Sequence, residues 1–180
     1  MSTTGGGVAY GPGGINARGP ARFAGVHGAL SDFDVVHDEL RIGPLRLPVA
    51  RPRSAEELID EDDFARDERL PYWAELWPSG LVLAERLTER HLAGRRVVEV
   101  GCGVGVPAVV AALMGARTLA TDWYAPALAF TRANAEAPGA RVETLLVDGT
   151  DPPARLPAGP PAARFTGPHV THAARDAPPL

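Results

Sequence analysis

The fold of this chain is decided by one stretch, Val97-Val-Glu-Val-Gly101-Cys-Gly103-Val-Gly105-Val-Pro107. An apolar segment typical of a buried strand runs directly into a loop with glycine at every second position, and an apolar helical segment follows. Glycine is needed where a chain turns tightly and where a ligand must approach the backbone closely. The stretch therefore predicts a strand, a ligand-binding loop and a helix in immediate succession.

The segments around this stretch alternate between strand and helix patterns. Strands are predicted over residues 96–100, 117–121 and 141–147, and helices over residues 107–114 and 126–137. This β-α-β-α-β order is typical of a parallel sheet with right-handed crossovers. Before it, residues 33–49 predict a small β-hairpin that turns at Gly43-Pro44, and Ser79 is predicted to cap a further helix.

Two acidic residues indicate which ligand the loop accepts. Asp122 follows Gly101 by 21 residues at the end of the second strand, where a carboxylate can bind ribose hydroxyls. Glu99 precedes the loop, where it would repel a pyrophosphate but attract a positively charged ligand. S-adenosylmethionine carries an ammonium and a sulfonium and no phosphate, so the order of residues favours it. An NAD(P)-dependent oxidoreductase remains the less favoured alternative, because Val106 stands at the position where the NAD fingerprint has its third glycine.

Composition excludes several other classes. The net charge of −4 gives no basic footprint for nucleic acid, and all 18 basic residues are arginine, which excludes a Walker lysine and a Schiff-base lysine. The lone Cys102 can form no internal disulfide, no residues have metal-ligand spacing, and no apolar run is long enough to cross a bilayer. We therefore expect a cytoplasmic protein without metal, membrane or nucleic-acid partner.

With these motifs in view, Glu99-Val-Gly-Cys-Gly-Val-Gly105 resembles the first motif of class I S-adenosylmethionine-dependent methyltransferases. The aromatic segment Tyr72-Trp-Ala-Glu-Leu-Trp-Pro-Ser-Gly80 is similar to the branch that contains protein-lysine methyltransferases and nicotinamide N-methyltransferase-like proteins. The resemblance covers about residues 32–150. It implies an α/β, Rossmann-like fold with S-adenosyl-L-methionine as the cofactor.

The resemblance also implies a set of cofactor-binding residues, while it leaves the catalytic residues unknown. The set contains loop glycines, acids and aromatic residues: Trp73, Glu99, Gly101, Gly103, Gly105, Asp122, Trp123 and Asp148. Glu99 is expected to face the methionine end of the cofactor, and the three glycines to let the cofactor approach the backbone. Asp122 is expected to bind the ribose hydroxyls.

Three of these residues are assigned to the base or to the wall of the pocket. Trp123 is expected to lie against the adenine, Asp148 to accept a hydrogen bond from its amino group, and Trp73 to help close the pocket. For Trp73, packing in the core is an equally good interpretation. Asp148 has the alternative role of a turn residue at the end of a strand.

Composition divides the chain into three parts. Residues 1–30 form a Gly-rich tail that we expect to be flexible, and residues 31–150 form the N-terminal part of a methyltransferase domain. Residues 151–180 contain eight prolines and seven alanines without apolar periodicity, which predicts a disordered tail. The sequence thus predicts an incomplete, truncated fold in which residues 97–100 become an exposed sheet edge that invites self-association.

The expected function is methyl transfer to a protein side chain, above all lysine, or to a small amine. Because the acceptor pocket of this fold is built largely after the fourth strand, we expect weak or no activity from this chain alone. A non-catalytic S-adenosylmethionine-binding or interaction fragment is the alternative.

Overall fold

The computed structural model describes residues 30–59, 70–147 and 163–166. In these residues six strands are present: β1 (Val35–Ile42), β2 (Leu45–Pro52), β3 (Arg96–Val100), β4 (Arg117–Asp122), β5 (Val142–Leu146) and β6 (Ala163–Thr166). Three α-helices accompany them: α1 (Pro78–Thr88), α2 (Val106–Leu113) and α3 (Ala125–Glu136). Short 3₁₀ helices span Glu56–Leu58 and Tyr72–Ala74.

The main sheet has the strand order β5-β4-β3-β6, and its three strand pairs are all parallel. Helices connect β3 to β4 and β4 to β5, which is the α/β, Rossmann-like arrangement that the sequence predicts. The prediction of three parallel strands with intervening helices is confirmed. Their observed bounds differ from the predicted ones by one residue at most at either end.

The predicted hairpin is also confirmed. β1 and β2 pair antiparallel from Val35 opposite Pro52 to Ile42 opposite Leu45, and they form a separate two-stranded sheet. Gly43 adopts a φ of 54° in the turn between them. This left-handed conformation is accessible to glycine without steric cost, which explains why the chain can reverse direction there.

The core lies around α2, which is apolar on nearly all sides. Its first six residues are all buried, as are Val97 and Val98 of β3 behind it. A helix that is apolar all round is stable in water only when other elements cover every face. α1, α3 and the strands supply that cover, so the loop that leads into α2 is anchored at its helical end.

The structure corrects the prediction that β3 is a sheet edge. β6 pairs with β3 in register from Val97 opposite Ala163 to Val100 opposite Thr166. It therefore occupies the side of β3 at which the sequence predicts self-association. The local sequence of β6 does not predict a strand, because its hydrogen-bond partners lie in β3, more than sixty residues earlier in the chain. The rest of the predicted tail, and residues 1–29, lie outside the described residues.

A second correction concerns the start of α1. The helix begins at Pro78 with Trp77 in the N-cap position, and no side chain caps it. Ser79 is thus a residue of the first turn and not the cap, because proline is already suited to the first helical position. Among the described helices, none has the length and apolar character that crossing a membrane requires.

Candidate functional site

The glycine-rich loop lies where β3 ends, and Asp122 lies where its neighbour β4 ends. Because the two strands are parallel, these carboxyl ends meet at the same edge of the sheet. In open α/β sheets this edge is where ligands bind. The order of elements therefore places the predicted loop and the predicted acid side by side.

The three loop glycines differ in what surrounds the position of a Cβ atom. All three have positive φ, but a Cβ on Gly103 would lie 2.7 Å from the backbone oxygen of Trp73, and one on Gly105 would lie 2.5 Å from Oγ1 of Thr131. The protein's own packing therefore requires glycine at these two positions. Within the part of the chain that the structure describes, a Cβ on Gly101 would meet no atom within 4 Å, so these residues leave open space beside it.

Asp122 holds the loop from the side of β4. Its side chain is 7% exposed, and its two carboxylate oxygens accept hydrogen bonds from different backbone amides. Oδ2 accepts from the amide of Gly103 at 2.8 Å, and Oδ1 accepts from the amide of Tyr124 at 2.9 Å. The carboxylate thus fixes the glycine loop relative to the loop that follows β4, which contains Trp123.

Glu99 is the second acid, and it is 4% exposed. Its Oε2 accepts a hydrogen bond from the amide of Ala108 in the first turn of α2, at 2.8 Å. Burial, with the negative charge of Asp122 as a smaller cause, raises the pKa of Glu99 to about 8 against the lowering effect of that hydrogen bond. In the protein without ligand, the carboxyl group is therefore largely protonated at neutral pH.

The two tryptophans of the predicted set have different environments. Trp73 is 8% exposed and packs against the rings of Phe33, Tyr124 and Phe130 at centroid distances of 6.0, 6.3 and 5.8 Å. Its ring belongs to the aromatic part of the core, while its backbone oxygen lies over Gly103. Trp123, next to Asp122, is 37% exposed and so presents part of its ring to the solvent.

Sequence reasoning missed two residues of α3 that contact the loop. Thr131 donates a hydrogen bond from Oγ1 to the carbonyl of Gly103 at 2.9 Å, and Asn134 donates from Nδ2 to the carbonyl of Val104 at 2.8 Å. Both are buried polar residues on one face of an otherwise alanine-rich helix. Their spacing of three residues was the available signal, since polar residues on a buried helical face need partners.

Cys102 contributes no nucleophile to the site. The thiol is buried 3.4 Å from Oγ1 of Thr131, and its pKa is raised well above its usual value by burial and by the charges of Glu99 and Asp122. A thiol held in its neutral form is unreactive. The described residues also contain no group of histidines, cysteines and acids that could hold a metal ion. Asp148, the last predicted site residue, lies outside the described residues.

Comparison with known proteins agrees with this arrangement. Residues 73–155 match the family model described as methyltransferase small domain. Two curated relatives are the electron transfer flavoprotein beta subunit lysine methyltransferase of Danio rerio and a protein N-terminal and lysine N-methyltransferase of Emericella nidulans. The first is 41% identical over 37% of this chain and 27% of its own length. The second is 39% identical over 45% of this chain and 31% of its own length.

A solved structure of a 16S rRNA methyltransferase from T. thermophilus, in complex with AdoMet and guanosine, superposes with a TM-score of 0.48 at 21% identity. It covers 63% of this chain and 28% of that chain. The matches thus span less than a third of each of these three proteins. The segment that the family model matches contains the glycine loop, both acids and the strands that carry them, so the similarity to the methyltransferase small domain includes the candidate site.

Proposed function

We propose that this chain binds S-adenosyl-L-methionine at the glycine loop and serves in methyl transfer to a protein side chain, lysine above all. The single observation that carries the proposal is the open space beside Gly101, next to a loop that Asp122 holds in place. Gly101 keeps a positive φ of 67°, although no atom of the described residues fills the position of its Cβ. Space beside a backbone that must remain bare is what a bound ligand needs.

The acids suit a cationic nucleoside. Each oxygen of Asp122 accepts a hydrogen bond from a backbone amide, and a carboxylate has about four lone-pair sites. A carboxylate at the end of this strand can accept the hydroxyl protons of a ribose. A positive charge next to the buried Glu99 would favour its ionised form and be attracted by it, whereas a pyrophosphate would keep the carboxyl protonated and gain no such attraction. This argues against NAD(P), the less favoured alternative.

The remaining residues of the proposed site would hold the base and close the pocket. Trp123 offers a partly exposed ring on which adenine can stack. Asp148 follows the end of β5 by two residues, and we assign to it the hydrogen bond from the adenine amino group. Gly103 and Gly105 allow the loop to pack closely against its neighbours. Trp73 contributes to this packing, because its backbone oxygen lies next to Gly103.

The acceptor is proposed from the relatives, because two of them are named as lysine methyltransferases. Methyl transfer to lysine is a direct displacement of the sulfonium by an unprotonated amine, so the protein contributes mainly positioning and exclusion of water. A small amine could be held in the same way. A chain that binds the cofactor without transferring its methyl group is the alternative.

Cofactor binding is tested by titrating the protein with S-adenosylhomocysteine in a calorimeter. Gly101→Ala is expected to weaken binding at least tenfold, because the new methyl group fills the open space. Gly139→Ala is the matched control, because Gly139 has a similar φ of 78° and its Cβ position also has no atom of the described residues within 4 Å. It lies beyond the C-terminal end of α3. Equal affinities of the two variants, or tighter binding of NADH than of S-adenosylhomocysteine, would contradict the proposal.

Methyl transfer itself is tested separately, with S-adenosylmethionine labelled on its methyl group and a lysine-containing protein extract as acceptor. Incorporation into lysine by the wild type, and its loss in Gly101→Ala but not in Gly139→Ala, would support an enzyme. Tight cofactor binding without any incorporation would instead support the non-catalytic alternative.

A further inference from the structure

Asn134 is a fully buried residue of α3 whose carboxamide makes three hydrogen bonds. Its Oδ1 accepts from the amide of Ala50 at 2.7 Å, and its Nδ2 donates to the carbonyl of Ala50 at 2.9 Å. The second hydrogen of Nδ2 is donated to the carbonyl of Val104 at 2.8 Å. One side chain therefore joins the hairpin to the glycine loop.

At the hairpin, the carboxamide acts in place of a neighbouring strand. Ala50 lies opposite His37 in the β1–β2 ladder, but its amide and its carbonyl both point to Asn134. The two residues that share this orientation on either side of it, Pro48 and Pro52, have no N–H to donate. Ala50 is thus the one residue between these prolines that presents a donor to α3, and Asn134 receives it.

At the loop, Asn134 acts together with Thr131. These residues lie one turn apart on α3 and bind two consecutive carbonyls, those of Val104 and Gly103. Because a peptide unit is planar, a hydrogen bond to its carbonyl also fixes the direction of the N–H in the same unit. The two side chains therefore set the orientation of the peptide units between Gly103 and Gly105, in the middle of the loop.

We propose that Asn134 is a positioning residue that couples the β1–β2 hairpin to the cofactor loop, so that docking of the hairpin sets the affinity for the cofactor. The inference rests on the proposed function, since it assigns a task to the same loop. Only a carboxamide supplies both the acceptor for Ala50 and donors for two carbonyls. An aspartate of the same shape would keep the acceptor and lose both donors.

The test compares three variants in the full chain. Asn134→Asp removes both donors. Ala50→Pro removes the N–H that Oδ1 of Asn134 accepts and places ring atoms at that contact, while both donors of Asn134 and every residue of the loop are retained. Val49→Ala is the matched control, because Val49 is fully buried in the same strand and lies opposite Asp38 of β1.

Two measurements are made on each variant: amide hydrogen exchange of residues 103–106 without ligand, and the Kd of S-adenosylhomocysteine. We expect exchange in the loop to accelerate at least tenfold in Asn134→Asp and Ala50→Pro, and the Kd to rise at least tenfold in the first and several-fold in the second. In Val49→Ala, we expect amide exchange to accelerate uniformly, in step with the loss of global stability, and the Kd to stay within about twofold. Failure of Ala50→Pro to change loop exchange beyond the control would overturn the coupling.

The two proposals fail in different ways. If the wild type does not bind S-adenosylhomocysteine, the proposed function fails, while the exchange data still decide whether the hairpin controls the loop. If the wild type binds and Asn134→Asp loosens the loop without raising the Kd, the positioning role is refuted and the proposed function stands. If Asn134→Asp or Ala50→Pro does not fold, Asn134→Ala, which removes the carboxamide without burying a charge, takes its place in both measurements.

Discussion

Oε2 of Glu99 accepts a hydrogen bond from the amide of Ala108 at 2.8 Å, across the glycine loop that separates them in sequence. The N-cap residue of α2 is Gly105, which has no side chain to cap the helix. A carboxyl group from the preceding strand therefore satisfies one of the free amides of the first turn. The same group is the acid proposed to face the cofactor, so the capping of α2 and the proposed contact depend on one protonation state.

The first prediction follows from the pKa of Glu99, which is raised from 4.5 to about 8. Since the folded state holds a proton that the unfolded state releases, Glu99 contributes stability that is fully present below pH 4.5 and is lost as the pH rises through about 8. Urea unfolding of the wild type between pH 5 and pH 9 should show this loss. Glu99→Gln, which is neutral at every pH, should remove this part of the dependence; an identical profile in both proteins would contradict the prediction.

The second prediction concerns the same group in the presence of a cation. An ionised Glu99 attracts a positively charged ligand, so the affinity for S-adenosylmethionine should rise as the pH approaches 8, opposite to the trend in stability. The ligand titrates as well, and Glu99→Gln serves as the control because it retains only the ligand's own titration. The measurement is the difference between the two proteins in Kd against pH. A constant difference from pH 6 to pH 8.5 would speak against contact between Glu99 and the cationic part of the ligand.

These predictions depend on details that the sequence could not supply, although it supplied much of the fold. The strands and helices around the loop followed from apolar periodicity, and the motif located Asp122 beside the loop correctly. β6 was missed because its four residues have no pattern of their own among the prolines and alanines, and only pairing with β3 makes them a strand. Tertiary contacts decide the conformation of such a segment, not local propensity.

In the candidate site, too, local sequence predicted some features, while others depend on tertiary contacts. Glycine at every second position predicted a loop, but the pattern alone did not distinguish Gly101 from Gly103 and Gly105. That distinction depends on what lies next to each Cβ position, and those neighbours, Trp73 and Thr131, are far away in sequence. Asn134 was missed for the same reason, because its partners are 84 and 30 residues away.

The third prediction compares Gly105→Ala with Gly139→Ala. The two glycines have nearly equal φ values of 80° and 78°, so both substitutions carry the cost of placing alanine in the left-handed region, about 1–2 kcal/mol. Only at Gly105 does the new methyl group also meet Thr131, with three of its atoms within 3 Å. We expect an extra loss of about 1–3 kcal/mol in the free energy of unfolding. Equal losses in both variants, measured by urea titration, would contradict this contact.

The fourth prediction separates the two tryptophans of the site. Trp73→Ala removes a buried ring and should lower the free energy of unfolding by about 3–5 kcal/mol. Trp123→Ala removes a partly exposed ring, so its effect on stability should be small, while the Kd of S-adenosylhomocysteine should rise about fivefold or more through lost stacking. Trp123→Phe keeps a stacking ring and should restore most of the affinity. Unchanged binding in Trp123→Ala would remove this residue from the cofactor site.

The last prediction tests the place of β6 in the sheet with two chains that differ by four residues. A chain that ends at residue 166 keeps β6, whereas one that ends at residue 162 loses it and leaves the ladder positions of β3 from Val97 to Val100 without their partners. Without β6, the inner strand β3 becomes an edge strand and exposes backbone groups and apolar side chains. The shorter chain should therefore melt at lower temperature and associate. Light scattering after size-exclusion chromatography and thermal unfolding measure both effects. If the two chains behave alike, β6 does not stabilise β3, and the sheet ends at the strand that leads into the glycine loop.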